Sequence, residues 1–158
     1  MSAMENGVVM KMTNTSWLLA ACCAADAIPS ANEVRVAGGT FDVAAYAVYY
    51  ARLGGHGAVT GTGTLTVNQA LAFDTADLVA GRSLAIDAPL ELGADVVLDL
   101  ANTNLLDRAH GPYVVANAQQ RFARLPESNL VAPWCFYLAN DGKTLKLHYQ
   151  SGTIMILR

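Results

Sequence analysis

At 158 residues and 16.7 kDa, the chain has the length of one domain, and a domain of that size can bury a substantial core. Hydrophobic residues make up 53% of it and charged residues 15%, a balance that argues against disorder. The net charge is −3 and the Lys and Arg residues are scattered, so no basic stripe exists for a phosphate backbone and nucleic acid is excluded as an expected partner.

Residues 1–16 form a polar N-terminal segment, and we assign residues 17–158 to one domain. The apolar run at 17–25 is too short to cross a bilayer and predicts a buried strand or a short helix, so no membrane span is expected. Within it, Leu19-Ala20-Ala21-Cys22 resembles the lipobox of bacterial lipoproteins, but polar residues at 13–16 interrupt the apolar region of a signal peptide. Both interpretations stay open.

Three cysteines are present, Cys22, Cys23 and Cys135. Adjacent cysteines rarely bridge each other because the geometry is strained, so at most one of the pair could reach Cys135. A thiol would then be left over, and no disulfide framework is predicted.

The stretch 33–67 sets the expected secondary structure. Apolar and β-branched residues alternate there with small polar ones, and glycines punctuate the alternation, which is typical of half-buried strands joined by tight turns. After a turn at 27–32, we expect strands at about 34–36, 40–43 and 47–51, followed by a Gly-rich corner at 54–57.

His56 lies in that corner, and a histidine among glycines is more often a surface turn residue than a metal ligand. No second histidine lies at metal-motif spacing, and His110 and His148 are equally isolated. We therefore predict neither a metal site nor a cofactor.

Beyond residue 65 the chain repeats an apolar strand that reaches an aspartate. Residues 70–74, 83–87 and 96–100 have this form, separated by the turn-forming Gly81, Pro89 and Gly93. In a chain of strands, such repetition predicts the stacked coils of a solenoid, in which each coil covers the apolar face of the next.

The C-terminal part, 113–158, is predicted to supply capping strands. We expect strands at 113–118, 134–138, 144–149 and 153–158, a turn of helix within 119–125 and a hairpin turn at 139–143. The large aromatic residues of this part would seal the open end of a narrow core.

Three segments resemble, in order and spacing, one unit of the autotransporter-associated β-strand repeat. They are Asp26-Ala27-Ile28-Pro29-Ser30, Val34-Arg35-Val36-Ala37-Gly38-Gly39-Thr40-Phe41-Asp42-Val43 and Gly57-Ala58-Val59-Thr60-Gly61-Thr62-Gly63-Thr64-Leu65-Thr66-Val67. The tail, from 96–100 through 113–115 to Trp134, 142–147 and 152–154, is similar to the usual ending of a bacterial passenger protein with this repeat.

The resemblance implies an all-β chain folded as a single right-handed parallel β-helix, a β-solenoid, with an aromatic-rich C-terminal cap or hairpin. It also implies that the protein is extracellular or lies on the outer cell surface of a bacterium. No membrane barrel follows Arg158, so we expect a fragment, a small relative or part of a longer surface protein. Such a segment is non-catalytic and displays its strand faces to a host glycoprotein, a polysaccharide or another cell.

One phrase, Ala72-Phe73-Asp74-Thr75-Ala76-Asp77, resembles the active-site loop of aspartic peptidases. In that chemistry an aspartate shares a proton with a second carboxylate, so that one acts as acid and the other as base, and a threonine hydroxyl steadies it. The resemblance assigns these roles to Asp74 and Thr75. It implies an endopeptidase acting on an extracellular protein such as mucin.

The second carboxylate is left open by the sequence. Asp87 and Asp99 also end apolar strands but lack the following Thr-Ala, so the mate is one of them or Asp74 of a second copy in a homodimer. The three carboxylates would suit calcium if they stacked, but no Asp-x-Asp-x-Asp-Gly loop is present. The structural alternative is that an aspartate at a strand end accepts local hydrogen bonds in a turn.

Overall fold

The computed structural model describes residues 9–13, 16–18 and 33–152, with side chains over 33–152. The expectations for the lipobox, for Cys22 and Cys23, for the turn at 27–32 and for the strand at 153–158 concern residues outside the described ranges. Most of the polar N-terminal segment also lies outside them.

The described elements are almost all strands, so the all-β prediction is confirmed. They are β1 (Val9–Thr13), β2 (Ser16–Leu18), β3 (Glu33–Asp42), β4 (Val48–Thr60), β5 (Leu65–Asp74), β6 (Leu84–Ile86), β7 (Leu90–Leu92), β8 (Val97–Ala101), β9 (Tyr113–Ala118), β10 (Glu127–Ser128), β11 (Trp134–Ala139) and β12 (Thr144–Tyr149). One short helix, α1 (Thr75–Val79), and a 3-10 turn (Thr103–Leu105) interrupt the described strands.

Three local expectations were wrong. The strands predicted at 34–36 and 40–43 are one strand, and β4 runs through the glycines at 54–57 instead of turning there. Gly54 lies where a Cβ atom would be 1.6 Å from the carbonyl oxygen of Ala72, so these glycines allow close approach of strands as well as turning. No helix forms within residues 119–125, where the backbone is irregular and bends twice.

Five strands pair in parallel, in the order β3, β4, β5, β8 and β10. Their inward residues form a first column, in which each residue opposes the next across the sheet: Val34, Leu53, Leu71 and Leu98. All four are fully buried, as alternation along a strand with one buried face requires.

Two further columns run through other parts of the same strands. In the second column Phe41 opposes Val59, which opposes Ile86. In the third column Tyr50 opposes Val67, which opposes Leu92. A long strand therefore has different neighbours at its two ends, and the sheet curls until it is nearly closed, like a barrel, round one core.

The C-terminal strands make the sheet mixed, because β12 pairs antiparallel with both β9 and β11. The hairpin turn predicted at 139–143 is confirmed: it joins β11 to β12 through Asn140, Asp141 and Gly142, all with positive φ. Phe136 on β11 is buried in the common core, and Trp134 and Leu138 pack against it.

Candidate functional site

Charged side chains gather on the outer surface of the sheet, opposite the first column. Because residues beside a buried position point outward, β3, β4, β5 and β8 all contribute to this surface. We call it the polar face; its members are Glu33, Arg35, Arg52, His56, Asp74, Asp77, Arg82, Asp99, Asn102 and Asn129.

Asp74 ends β5 and caps α1. Its Oδ1 accepts a hydrogen bond from the backbone N–H of Ala76 at 2.9 Å, and the Asn102 Nδ2 donates to both carboxylate oxygens at 3.0 Å. The Arg35 guanidinium donates to Oδ2 at 3.5 Å. The carboxylate therefore has a capping role and a cationic partner at once.

Asp99 on β8 has an equivalent set of partners. The Arg52 Nη2 donates to its Oδ2 at 2.5 Å, and the Asn129 Nδ2 donates to its Oδ1 at 2.8 Å. Arg52 also lies 3.4 Å from the carboxylate of Glu33, which it opposes across the β3–β4 ladder. Each of the two aspartates is thus held by one arginine and one asparagine.

Asp77 in α1 joins the largest number of ionic groups on the polar face. Its carboxylate lies 3.1 Å from Arg82, 3.2 Å from His56 Nδ1 and 4.0 Å from Arg35. His56 makes no aligned hydrogen bond through Nδ1, so this contact is ionic when the imidazole is protonated. Only 14% of the Asp77 side chain is exposed, so the helix is attached to β3 and β4 through a largely buried carboxylate.

The pKa of Asp74 is lowered from its ordinary value of 3.8. Partial burial acts in the opposite direction, but the hydrogen bonds from Asn102 and Ala76 and the charge of Arg35 together outweigh it. The ionised carboxylate is therefore the form that its surroundings stabilise.

The structure places the sequence-predicted site residues in different surroundings. Asp74 and Asp99 both lie on the polar face, each with its own arginine. Asp87 is exposed and follows β6 in the second column, so it lies away from that face. Thr75 is fully buried, and its hydroxyl donates to the Ala101 carbonyl oxygen at 2.8 Å. Whether these residues catalyse a reaction stays a prediction.

Sequence reasoning missed His56, Asp77 and the three arginines. Arg35 and Arg52 flank buried Val34 and Leu53, and alternation along a strand places both arginines on its outward side. Their partners lie on distant strands, however, and no local motif connects them. Asp77 was present in the peptidase-like phrase but has no part in that motif.

Over the described ranges, no group of three or more His, Cys, Asp or Glu side chains is arranged to hold a metal ion. No helix among the described residues has the length and hydropathy that a membrane span needs. Comparisons of the chain with protein-family models, with curated proteins and with solved structures find no match.

Proposed function

We propose that the chain is a non-catalytic β-helical segment of a bacterial surface or secreted protein, and that its polar face is the binding surface. The observation that carries the proposal is the set of three buried columns. In a parallel β-helix each face of the tube is such a column, made of one inward residue from each successive coil. The nearly closed sheet is then the wall of the tube.

The register supports coils that advance along the chain. Val34, Leu53, Leu71, Leu98 and Ser128 oppose one another in turn, so successive coils take 19, 18, 27 and 30 residues. Every pairing in this series is parallel and joins a strand to a later one, as repeated coils require. Parallel connections are right-handed in nearly all proteins, in agreement with the handedness that the autotransporter-like repeat implies.

The polar face suits a hydroxyl-rich or acidic ligand. Arg35 and Arg52 have about a third of their side chains exposed, and Arg82 about half, so each can donate outward while it keeps its carboxylate partner. Planar guanidinium and carboxylate groups are suited to the paired hydroxyls and acid groups of sugars. We therefore infer a glycoprotein or polysaccharide ligand, presented at a cell surface or outside the cell.

The surroundings of Asp74 favour display over catalysis. A peptidase dyad needs a proton shared between two carboxylates, one with a lowered and one with a raised pKa. The hydrogen-bond donors described for Asp74 are Arg35, Asn102 and Ala76, and no carboxyl group is among them. The aspartic-type endopeptidase stays a prediction, tested below.

The binding proposal is tested by biolayer interferometry of the purified chain against immobilised mucin and a panel of neutral and acidic polysaccharides. We expect binding to at least one of them, weakened at least tenfold in the Arg35→Gln/Arg52→Gln variant. The matched control is Arg108→Gln/Arg121→Gln, which removes the same charge from exposed positions outside the polar face. Failure of every probe to bind, or equal losses in the two variants, would contradict the proposal.

A further inference from the structure

One edge of strand β11 is not covered by any other strand that the structure describes, and we call it the free edge. Along its other edge, the strand pairs with β12 over its whole length, from Trp134 opposite Tyr149 to Ala139 opposite Thr144. The described strands β1, β2, β7 and β10 also have a single described neighbour, but they are only 5, 3, 3 and 2 residues long. With 6 residues, β11 is the longest of these edge strands.

The hydrogen-bonding groups at this edge can be assigned from the ladder. The backbone N–H of Gln150 donates to the carbonyl oxygen of Pro133 at 2.7 Å. In an antiparallel pair, alternate residues turn their N–H and C=O groups to the same neighbour. The backbone N–H and C=O groups of residues 135, 137 and 139 therefore point to β12. Those of Trp134, Phe136 and Leu138 point to the free edge.

The edge lacks the features that usually prevent strand addition. Natural edge strands carry Lys, Pro or a bulge, or they are very short. The sequence of β11, Trp134-Cys135-Phe136-Tyr137-Leu138-Ala139, contains no charged residue, no proline and no glycine. Its pairing with β12 is regular, with no bulge.

We propose that the free edge of β11 pairs antiparallel with the same edge of a second copy of this chain, giving a two-fold dimer with one continuous sheet. The edge is complementary to itself, because the residues whose backbone N–H and C=O groups point to it, Trp134, Phe136 and Leu138, are spaced symmetrically about Phe136. In the register centred there, Phe136 opposes Phe136 of the second copy, and Trp134 opposes Leu138 of the second copy. Each of these pairs exchanges two backbone hydrogen bonds.

The side chains favour a second copy over an unrelated extended peptide. Trp134, Phe136 and Leu138 all face the core, where Phe136 is buried and the other two are partly buried. The two-fold pairing places Trp134 of each copy beside Leu138 of the other, so that the exposed parts of these two side chains cover each other. A contact of this size gives weak association, with a dissociation constant on the order of micromolar.

The test is sedimentation velocity of the full chain from about 1 µM to about 1 mM, a range that brackets such an affinity. We expect wild type to pass from monomer to dimer. Leu138→Pro removes an edge donor without removing a donor to β12, whereas Leu138→Ala removes the same apolar side chain and keeps the donor. The alanine variant should dimerise and the proline variant should stay monomeric, both with a β-rich circular dichroism spectrum. A wild type that is monomeric throughout, including one whose edge takes a foreign peptide, overturns the proposal.

Cross-linking tests the register even if the proline variant does not fold. In a Cys22→Ser/Cys23→Ser background, Tyr137→Cys puts a thiol opposite Cys135 of the second copy, so mild oxidation should give a covalent dimer. Ala139→Cys in the same background is the control, because its position opposes Pro133 of the second copy and should give none. Equal yields of covalent dimer in the two variants, or none in either, would overturn this edge pairing.

Discussion

Arg52 and Asp99 are 47 positions apart in the chain, and the guanidinium of one donates to the carboxylate of the other at 2.5 Å. Strand β5 lies between their strands, so the arginine side chain crosses one strand to reach its partner. It does so next to Ala70 and Ala72, which oppose Arg52 and Asp99 respectively and leave room above the sheet.

The Arg35 side chain likewise crosses one strand, β4, to reach Asp74. Gly54 is the β4 residue that opposes Arg35. In both cases the aspartate lies two strands away and two residues further along. These diagonals connect β3 to β5 and β4 to β8, in addition to the backbone ladders. Small residues beneath the arginines are therefore part of what builds the polar face.

Gly54→Ala should destabilise the fold. The new Cβ atom would lie 1.6 Å from the carbonyl oxygen of Ala72, a backbone atom that cannot move away without separating β4 from β5. We expect the free energy of unfolding to fall by at least about 2 kcal/mol. Gly152→Ala is the control, since no atom of the described residues lies within 4 Å of its added Cβ, and its effect should be within about 0.5 kcal/mol. Urea denaturation followed by circular dichroism measures both, and equal effects would contradict the close approach.

Asp77→Asn should loosen the attachment of α1. The substitution keeps the shape of the side chain but removes the charge that faces Arg35, His56 and Arg82. We expect a loss of about 1–2 kcal/mol of unfolding free energy at pH 6, together with faster amide hydrogen exchange in α1. Asp87→Asn makes the same chemical change at an exposed position and should cost less than about 0.5 kcal/mol. Unchanged exchange in α1 would show that Asp77 does not hold the helix.

Asp74→Asn should change how stability depends on pH. The pKa of Asp74 is lower in the folded chain than the ordinary value of 3.8, so the folded state binds the proton less readily than the unfolded state. Its contribution is present above pH 3.8 and is lost as the pH falls through the folded pKa. We expect the variant to be less stable than wild type at pH 7 and the difference to shrink in acid. Urea denaturation from pH 7 to pH 2 measures it, and a difference that does not vary with pH would contradict the assignment.

The display proposal predicts no proteolysis that depends on Asp74. An unfolded protein substrate is incubated with the purified chain from pH 3 to pH 8, with and without pepstatin, beside the Asp74→Asn variant. We expect no cleavage above background at any pH, since the described partners of Asp74 stabilise its ionised form. Cleavage that peaks in acid and disappears with pepstatin and in the variant would establish the peptidase instead.

The strands and the hairpin were predictable because they depend on local properties. Alternation at 33–43 and 144–149 fixes which residues can share a buried face, and Asn140, Asp141 and Gly142 readily adopt the positive φ that their turn needs. The course of β4 was missed because its glycines resemble a corner in sequence. Only contact with the neighbouring strands shows that Gly54 is there for close approach.

The polar face could be predicted only as separate outward residues. By itself the sequence determined that the chain is a set of strands with one apolar side, since period-two patterning needs no knowledge of distant residues. The tertiary structure decided which strands became neighbours. Opposed residues of the first column lie 18 to 27 positions apart, and the entropy of closing a loop changes little over that range. Spacing along the chain therefore cannot specify that Arg35 meets Asp74 or that Arg52 meets Asp99; the packing of the buried columns brings them together.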